Sequence, residues 1–222
     1  MSHAAEPSYR QRIGYQAGLL GGSTLLAAAL LVMGDMATRD TIELRRAEDL
    51  KASLSQVIPP AIHDNDLLAQ PLTLENADGE PVTVYRALDG VQVKAVAYRI
   101  IGIGYAGEIE SIMAVDAKGR ILGVRVLSHA ETPGLGDKIE VAKDDWILAF
   151  NGLSLGDPPA ERWAVKKDGG DFDQFSGATI TPRGVVGSIR RGLEFFESHR
   201  EALTSPAQIT KADPDAPVRS QP

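Results

Sequence analysis

The stretch Ile109-Glu110-Ser111-Ile112-Met113-Ala114-Val115, the turn Asp116-Ala117-Lys118-Gly119 and the run Ile121-Leu122-Gly123-Val124-Arg125-Val126-Leu127 decide the fold. Apolar residues recur with a period of two on both sides of a short polar turn, the pattern of a β-hairpin. Working outward, Val82-Thr83-Val84-Tyr85 and the run from Val93 to Ile101 repeat that period and predict two more strands. Further on, Gly184 to His199 sets Val185, Val186, Ile189, Leu193 and Phe196 on one side, which predicts a helix. Residues 139–150, with Trp146 and Phe150, read as a short helix. Arg162 to Lys167 reads as a strand ending in the turn Asp168-Gly169-Gly170. The expected class is α+β, with a mixed strand and helix domain over residues 61–203 and no internal repeat.

Upstream the chain changes character. From Ile13 to Gly34 it carries no formal charge. At about 1.5 Å rise per residue this run spans roughly 30 Å, the thickness of a bilayer's hydrocarbon core. A buried soluble helix would show a polar face, whereas here only Gln16, Ser23 and Thr24 interrupt the apolar surface. A cleaved signal peptide needs a shorter apolar region and a small-x-small site, which Met33-Gly34-Asp35-Met36-Ala37 fits poorly. Residues 13–34 are therefore expected to be a retained transmembrane helix, with 1–12 as a cytoplasmic N-terminus. The leading Arg10 and Arg12 favour that orientation, since a long domain translocates largely regardless of its own charge. Residues 35–60 are expected to form a helical stalk. Ala47, Leu50, Leu54 and Val57 recur at helical spacing until Pro59-Pro60 stops the pattern. His63-Asp64-Asn65-Asp66 reads as a turn and cap. Residues 204–222, proline-rich and without periodicity, are expected to be a disordered tail.

Composition excludes several classes. There are 23 Lys plus Arg against 30 Asp plus Glu, a net charge of −7. An acidic chain without a basic block is a poor nucleic-acid binder. Cysteine is absent, which removes disulfides, thiolate zinc sites, iron–sulfur clusters and C-x-x-C-H haem attachment. No pair among the four histidines has metal-ligand spacing. Redox chemistry here therefore requires an organic cofactor. Gly102-Ile103-Gly104-Tyr105-Ala106-Gly107 matches a dinucleotide fingerprint, but an alternating strand follows where that fingerprint needs a helix. It reads as a glycine-rich bend that lets the backbone approach another group closely.

Two stretches carry chemistry. In Asp171-Phe172-Asp173-Gln174-Phe175-Ser176-Gly177-Ala178-Thr179-Ile180-Thr181-Pro182-Arg183, Thr181 before Pro182 predicts an N-cap and a helix start. A helix N-terminus presents unpaired N–H groups and a positive dipole end, a good place for a phosphate. Arg183 adds charge in the first turn. The hydroxyls of Ser176, Thr179 and Thr181 converge there, and Gly177 and Ala178 leave room for a bulky group. Local physics supports a plain hydroxyl-rich cap equally well. In Ser128-His129-Ala130-Glu131-Thr132-Pro133-Gly134-Leu135-Gly136-Asp137-Lys138, Pro133-Gly134 signals a turn. His129 and Glu131 lack a nucleophile, so a hydrolase is not supported.

Together these stretches resemble the FMN-binding domain shared by the G subunit of the Rnf (Rsx) ion-translocating electron-transport complex and the C subunit of the sodium-translocating NADH:quinone reductase. The family motif Asp-x-x-Ser/Thr-Gly-Ala-Thr stands here at 173–179, and its Glu-Thr-Pro-Gly-Leu-Gly loop at 131–136. The resemblance extends from the N-terminal anchor through Gly104-Tyr105-Ala106-Gly107 to about residue 197. Compact length favours the Rnf-type subunit, with the C-type subunit as the alternative. A non-redox tethered scaffold, in which 173–181 is only a cap, is the reading from another class.

The resemblance implies a membrane-anchored flavoprotein subunit that relays electrons, without a complete active site of its own. It implies FMN esterified through its phosphate to Thr179, attached by a flavin transferase that uses FAD and a divalent metal. Thr179 is preferred to Thr181 because the motif ends there. Asp173, Ser176, Gly177 and Ala178 would shape the site, and Glu131, Thr132, Gly134 and Leu135 would lie along the flavin ring. Tyr105, Trp146 and Phe175 are either ring contacts or ordinary core. The implied partners are the other membrane and peripheral subunits. The implied location is the bacterial inner membrane, single-pass, with the main domain on the periplasmic side.

Overall fold

The computed structural model describes residues 13–206. The expectations for residues 1–12 and for most of the tail, 207–222, lie outside the described residues. Helix α1 (Ile13–Val57) joins the stretches expected as span and stalk in one element. The chain divides into two compact units between Asp49 and Leu50.

In the first unit, Ile13–Arg39 is long and apolar enough to cross a membrane. Its serine and threonine hydroxyls are satisfied within the helix, as a bilayer requires. Ser23 and Thr24 both donate to the Leu20 carbonyl, at 2.9 and 2.8 Å. Charge pairing begins beyond the apolar run, with Arg39 on Asp35 at 2.5 Å and Arg45 on Glu48 at 2.8 Å.

The second unit is built on an antiparallel meander of strands β1 (Leu72–Glu75), β2 (Pro81–Asp89), β3 (Gln92–Ile103), β4 (Glu108–Asp116) and β5 (Ile121–Ser128), ordered as in the sequence. The last four fall where the period-two pattern predicts them. β1 is an addition to that pattern. Its signal is Leu72-Thr73-Leu74 before a turn in which Asn76 Oδ1 accepts from the N–H groups of Asp78 and Glu80, each at 2.9 Å. The β4–β5 turn forms as read, with Asp116 Oδ1 accepting from Lys118 N and Arg120 N at 2.8 and 2.9 Å. The glycine-rich segment is a bend between β3 and β4, closed by Gly104 N on Gly107 O at 2.8 Å.

Helix α2 (Ile180–Ser198) covers one sheet face, and the short helix α3 (Arg200–Thr204) follows it. Val185, Val186, Ile189, Leu193 and Phe196 pack with Val96, Tyr98, Ile100, Ile109 and Met113. Burying each such side chain contributes about 1.5–3 kcal/mol. Tyr98 ties helix to sheet by donating to the Gly192 carbonyl at 2.7 Å. Burial, with the Glu197 charge adding to it, holds the Tyr98 hydroxyl well above its ordinary pKa, so it remains a donor. The other face packs Ala95, Ala97, Ile112 and Ala114 against Leu54, Val57, Ile58 and Leu67. The 63–66 segment is not the expected turn and helix cap: it leads into a turn at Leu67-Leu68, caps no helix, and is held instead by long-range bonds to β2. Asn65 bridges the Arg86 carbonyl at 2.9 Å and the Leu88 N–H at 2.8 Å.

Four further expectations need correction. Residues 139–150 are not one helix but two separated 3-10 turns, Asp137–Ile139 and Trp146–Phe150. Asp144 interrupts them, its carboxylate accepting from Trp146 N at 2.9 Å, because aspartate competes locally with helical hydrogen bonding. Residues 162–167 are not a strand: 3-10 turns at Ala160–Arg162 and Lys166–Asp168 flank a single bridge from Val165 to Phe172. Gly169, with φ of 88°, turns the chain back before a ladder can extend. Thr181 is not the N-cap of α2. Thr179 holds that place and Pro182 is the third helical residue, tolerated because first-turn N–H groups have no intrahelical partner. Residue 204 does not belong to an unstructured segment, since Thr204 closes α3.

Candidate functional site

Three segments meet at the start of α2: the bend after β3, the loop after β5 and the loop before the helix. The first turn of α2 lies on the end of β3. A Cβ on Gly102 would stand 2.6 Å from the Gly184 carbonyl oxygen, and one on Gly184 would collide with the Ile103 carbonyl. Both glycines are demanded by this backbone contact, which brings the N-terminus of α2 to the bend.

Glu131 links all three segments. It is only 6% exposed, and Thr181 is fully buried. Glu131 Oε2 accepts from Thr181 Oγ1, and Oε1 accepts from Ala106 N at 3.0 Å. Its own N–H donates to His129 Nδ1 at 3.0 Å, which assigns the ring proton to Nε2, 2.8 Å from Glu140. Thr132, Pro133, Gly134 and Leu135 form an exposed turn held by Gly134 N on Asp137 Oδ1 at 2.7 Å.

The motif loop is held differently. Its Asp173 carbonyl accepts from Trp146 Nε1 at 2.9 Å. Phe175 meets Trp146 edge-on at 5.2 Å between centroids. Trp146 and Phe175 belong to the core, and Tyr105 is exposed. From this anchor the chain turns through Ser176 and Gly177, with Ala178 N on Phe175 O at 3.1 Å. Gly177 has φ of 81°, and the Leu135 side chain approaches to 3.8 Å of the Cβ position it lacks. Ser176 and Gly177 are exposed, and Ala178 and Thr179 half-buried. Leu135 and Ile180 remain exposed beside the turn.

The two threonines are in contrasting states. Thr181 donates its hydroxyl inward to Glu131. Thr179 sits at the helix boundary with φ −66° and ψ −28°, and its side chain makes no capping bond. Those helical dihedrals differ from the extended ones that normally let a cap side chain fold back. Around this point the charges are paired. Arg183 is bidentate on Asp168, at 2.6 and 2.9 Å, so it is not free to serve a phosphate alone. Its hydrogen bonds hold Asp168 below the usual carboxylate range. Lys166 pairs with Asp173 at 2.7 Å, and Arg162 with Asp171.

The sequence placed the 171–179 loop at the helix start, and the resemblance implied that the 131–136 loop lies beside it. Sequence reasoning missed the Glu131–Thr181 bond and the seating of the motif loop on Trp146. The glycines at 102 and 104 signalled a close approach without naming its partner, and the close contacts at Gly136 and Gly184 had no sequence signal.

Comparison with known proteins gives first the class: residues 104–194 match the FMN-binding domain family, and this domain follows an apolar N-terminal helix. The G subunit of the ion-translocating oxidoreductase complex of Cereibacter sphaeroides is 57% identical over 191 residues, covering 86% of this chain and 87% of that one. The protein of the same name from Stutzerimonas stutzeri is 50% identical over 188 residues, covering 85% and 82%. The crystal structure of Shewanella oneidensis NqrC is similar over 66% of this chain and 73% of that one, with 24% identity and a TM-score of 0.45. The chain belongs to the family of G subunits of the ion-translocating oxidoreductase complex.

Proposed function

We propose that this chain is a membrane-anchored flavoprotein subunit that relays electrons within an ion-translocating oxidoreductase complex, carrying FMN on Thr179 through a phosphoester. The observation that carries the attachment is the contrast between two neighbouring hydroxyls: Thr181 is buried and donated to Glu131, while Thr179 has no capping bond. The surroundings fit the group. Gly177 adds no side chain at the turn, and Leu135 and Ile180 offer exposed apolar surface next to it. The first turn of α2 contributes unpaired N–H groups beside Thr179.

In the attachment, Thr179 Oγ bonds to the flavin-side phosphorus of FAD, and the phosphoanhydride P–O bond to AMP breaks. AMP leaves and the hydroxyl proton passes to solvent, with a flavin transferase and its divalent metal as catalyst. The diester keeps one negative charge, which the helix N-terminus stabilises by about 0.3–1 kcal/mol. Bound FMN supplies the one- and two-electron chemistry, while the protein supplies position and electrostatics. Thr132, Gly134 and Leu135 form the exposed turn available to the ring. Ser176, Gly177 and Ala178 shape the approach to Thr179, and Asp173 on the same loop is open to the transferase. A tether also prevents loss of the cofactor on the periplasmic side, the side that the leading arginines favour for the domain. Ion passage falls to the other membrane subunits, because the apolar run Ile13–Gly34 has no charged side chain.

The test uses the full chain co-produced with a flavin transferase and run on a denaturing gel under ultraviolet light. Wild type and Thr181→Val fluoresce, and Thr179→Val is dark. A Thr179→Val band as bright as wild type overturns the assignment.

A further inference from the structure

We propose that Glu131 and Thr181 form a positioning clasp that fixes the surface against which the tethered flavin rests; this inference rests on the attachment at Thr179. A group held through a threonine side chain and a phosphoester swings about several single bonds. What restricts it is the rigidity of the surface beside it. Here that surface comes from three chain segments, and one buried carboxylate takes hydrogen bonds from two of them while belonging to the third. Thr181 and Thr179 share the first turn of α2, so holding Thr181 fixes the direction in which the attachment point faces. An unheld first turn frays.

The surrounding residues are shaped around this carboxylate. A Cβ on Gly136 would stand 2.6 Å from Glu131 Oε2 and 2.9 Å from Thr181 Oγ1, and a Cβ on Gly104 would strike Glu131 Oε1. Glycine at 104 and 136 is thereby explained by one cause. His129 continues the chain outward, receiving the Glu131 N–H at 3.0 Å and reaching Glu140 at 2.8 Å. The Glu131 carboxyl group thus lies buried near a helix N-terminus, satisfied by a hydroxyl and a main-chain N–H. Glu131 acts through this scaffold and needs no contact with the ring.

The experiment compares full-length wild type, Thr181→Val, Thr181→Ser and Glu131→Gln, each matured with the transferase. Three readouts are taken: covalent flavin per chain, visible circular dichroism of the flavin, and decay of its fluorescence anisotropy. Thr181→Val and Glu131→Gln carry the wild-type amount of flavin. They lose most of the visible dichroism and gain a nanosecond anisotropy component from local ring motion. Thr181→Ser, which retains the hydroxyl, restores the wild-type signals. Wild-type dichroism and anisotropy in folded, fully flavinylated Thr181→Val or Glu131→Gln overturn the clasp. If Thr181→Val does not fold, Glu131→Gln decides alone by the same readouts. A dark Thr179→Val band together with unchanged clasp variants overturns the clasp and leaves the attachment standing. A bright Thr179→Val band overturns both.

Discussion

The loop at 131–136 and the loop at 171–179 flank the same helix start but are secured by different physics. The first is pinned from inside, by a carboxylate that is 6% exposed and engaged with a buried hydroxyl. The second is seated on aromatic rings at its base and laced by exposed ion pairs, Lys166 with Asp173, Arg162 with Asp171 and Arg183 with Asp168. Buried hydrogen bonds resist displacement because breaking one strands a desolvated group. Exposed ion pairs exchange partners with water at little cost. One loop is therefore fixed from within, and the other carries the proposed attachment point beside the exposed turn at Ser176-Gly177.

The contrast is open to attack, beginning with its strongest element. Trp146→Ala removes the Asp173 carbonyl's partner and the ring contacts to Phe150 and Phe175. It is expected to destabilise the domain by about 3–5 kcal/mol in denaturant titration; a loss under about 1 kcal/mol would mean that ion pairs, not the aromatic seat, hold the motif loop. Gly184→Ala forces a methyl onto the Ile103 carbonyl. The expected loss is about 1–3 kcal/mol, net of the better helix propensity of alanine, and an unchanged midpoint would show that α2 has freedom to shift on β3. The smallest effect concerns acid. Asp168 lies below its ordinary value of 3.8 through its hydrogen bonds to Arg183. A depressed carboxylate contributes stability that is fully present above its unfolded pKa and lost as pH falls through its folded one. Asp168→Asn should flatten the acid limb of a melting-midpoint series from about pH 5 to pH 2, with little change at neutral pH. An acid limb identical to wild type would exclude this pair as a contributor.

Strands β2 to β5 and the α2 helix were legible because each element's pattern is local, whereas β1 was not read. Period two over 93–127 and the apolar side of 184–199 need no knowledge of the rest of the chain. The segment 137–172 resists such reading because its order is tertiary. Its 3-10 turns are stabilised by Trp146, Phe150, Trp163 and Phe172 packing on one another, with Phe150 and Phe172 stacked at 4.6 Å. No periodicity records that arrangement. The candidate site shows the same division. The proposal of Thr179 follows from a short motif, whereas the Glu131–Thr181 bond spans 50 positions. The Thr181-Pro182 pair imitates an N-cap signal, and only the distant carboxylate redirects that hydroxyl inward.

The ion-paired lacing of the motif loop has a consequence for the setting in which the protein works. Lys166–Asp173, Arg162–Asp171 and Arg183–Asp168 are all solvent-facing, and dissolved salt shortens the reach of such charges from about 30 Å at 0.01 M to about 3 Å at 1 M. Brine slackens the lacing and dilute medium tightens it, while the clasp beneath stays indifferent.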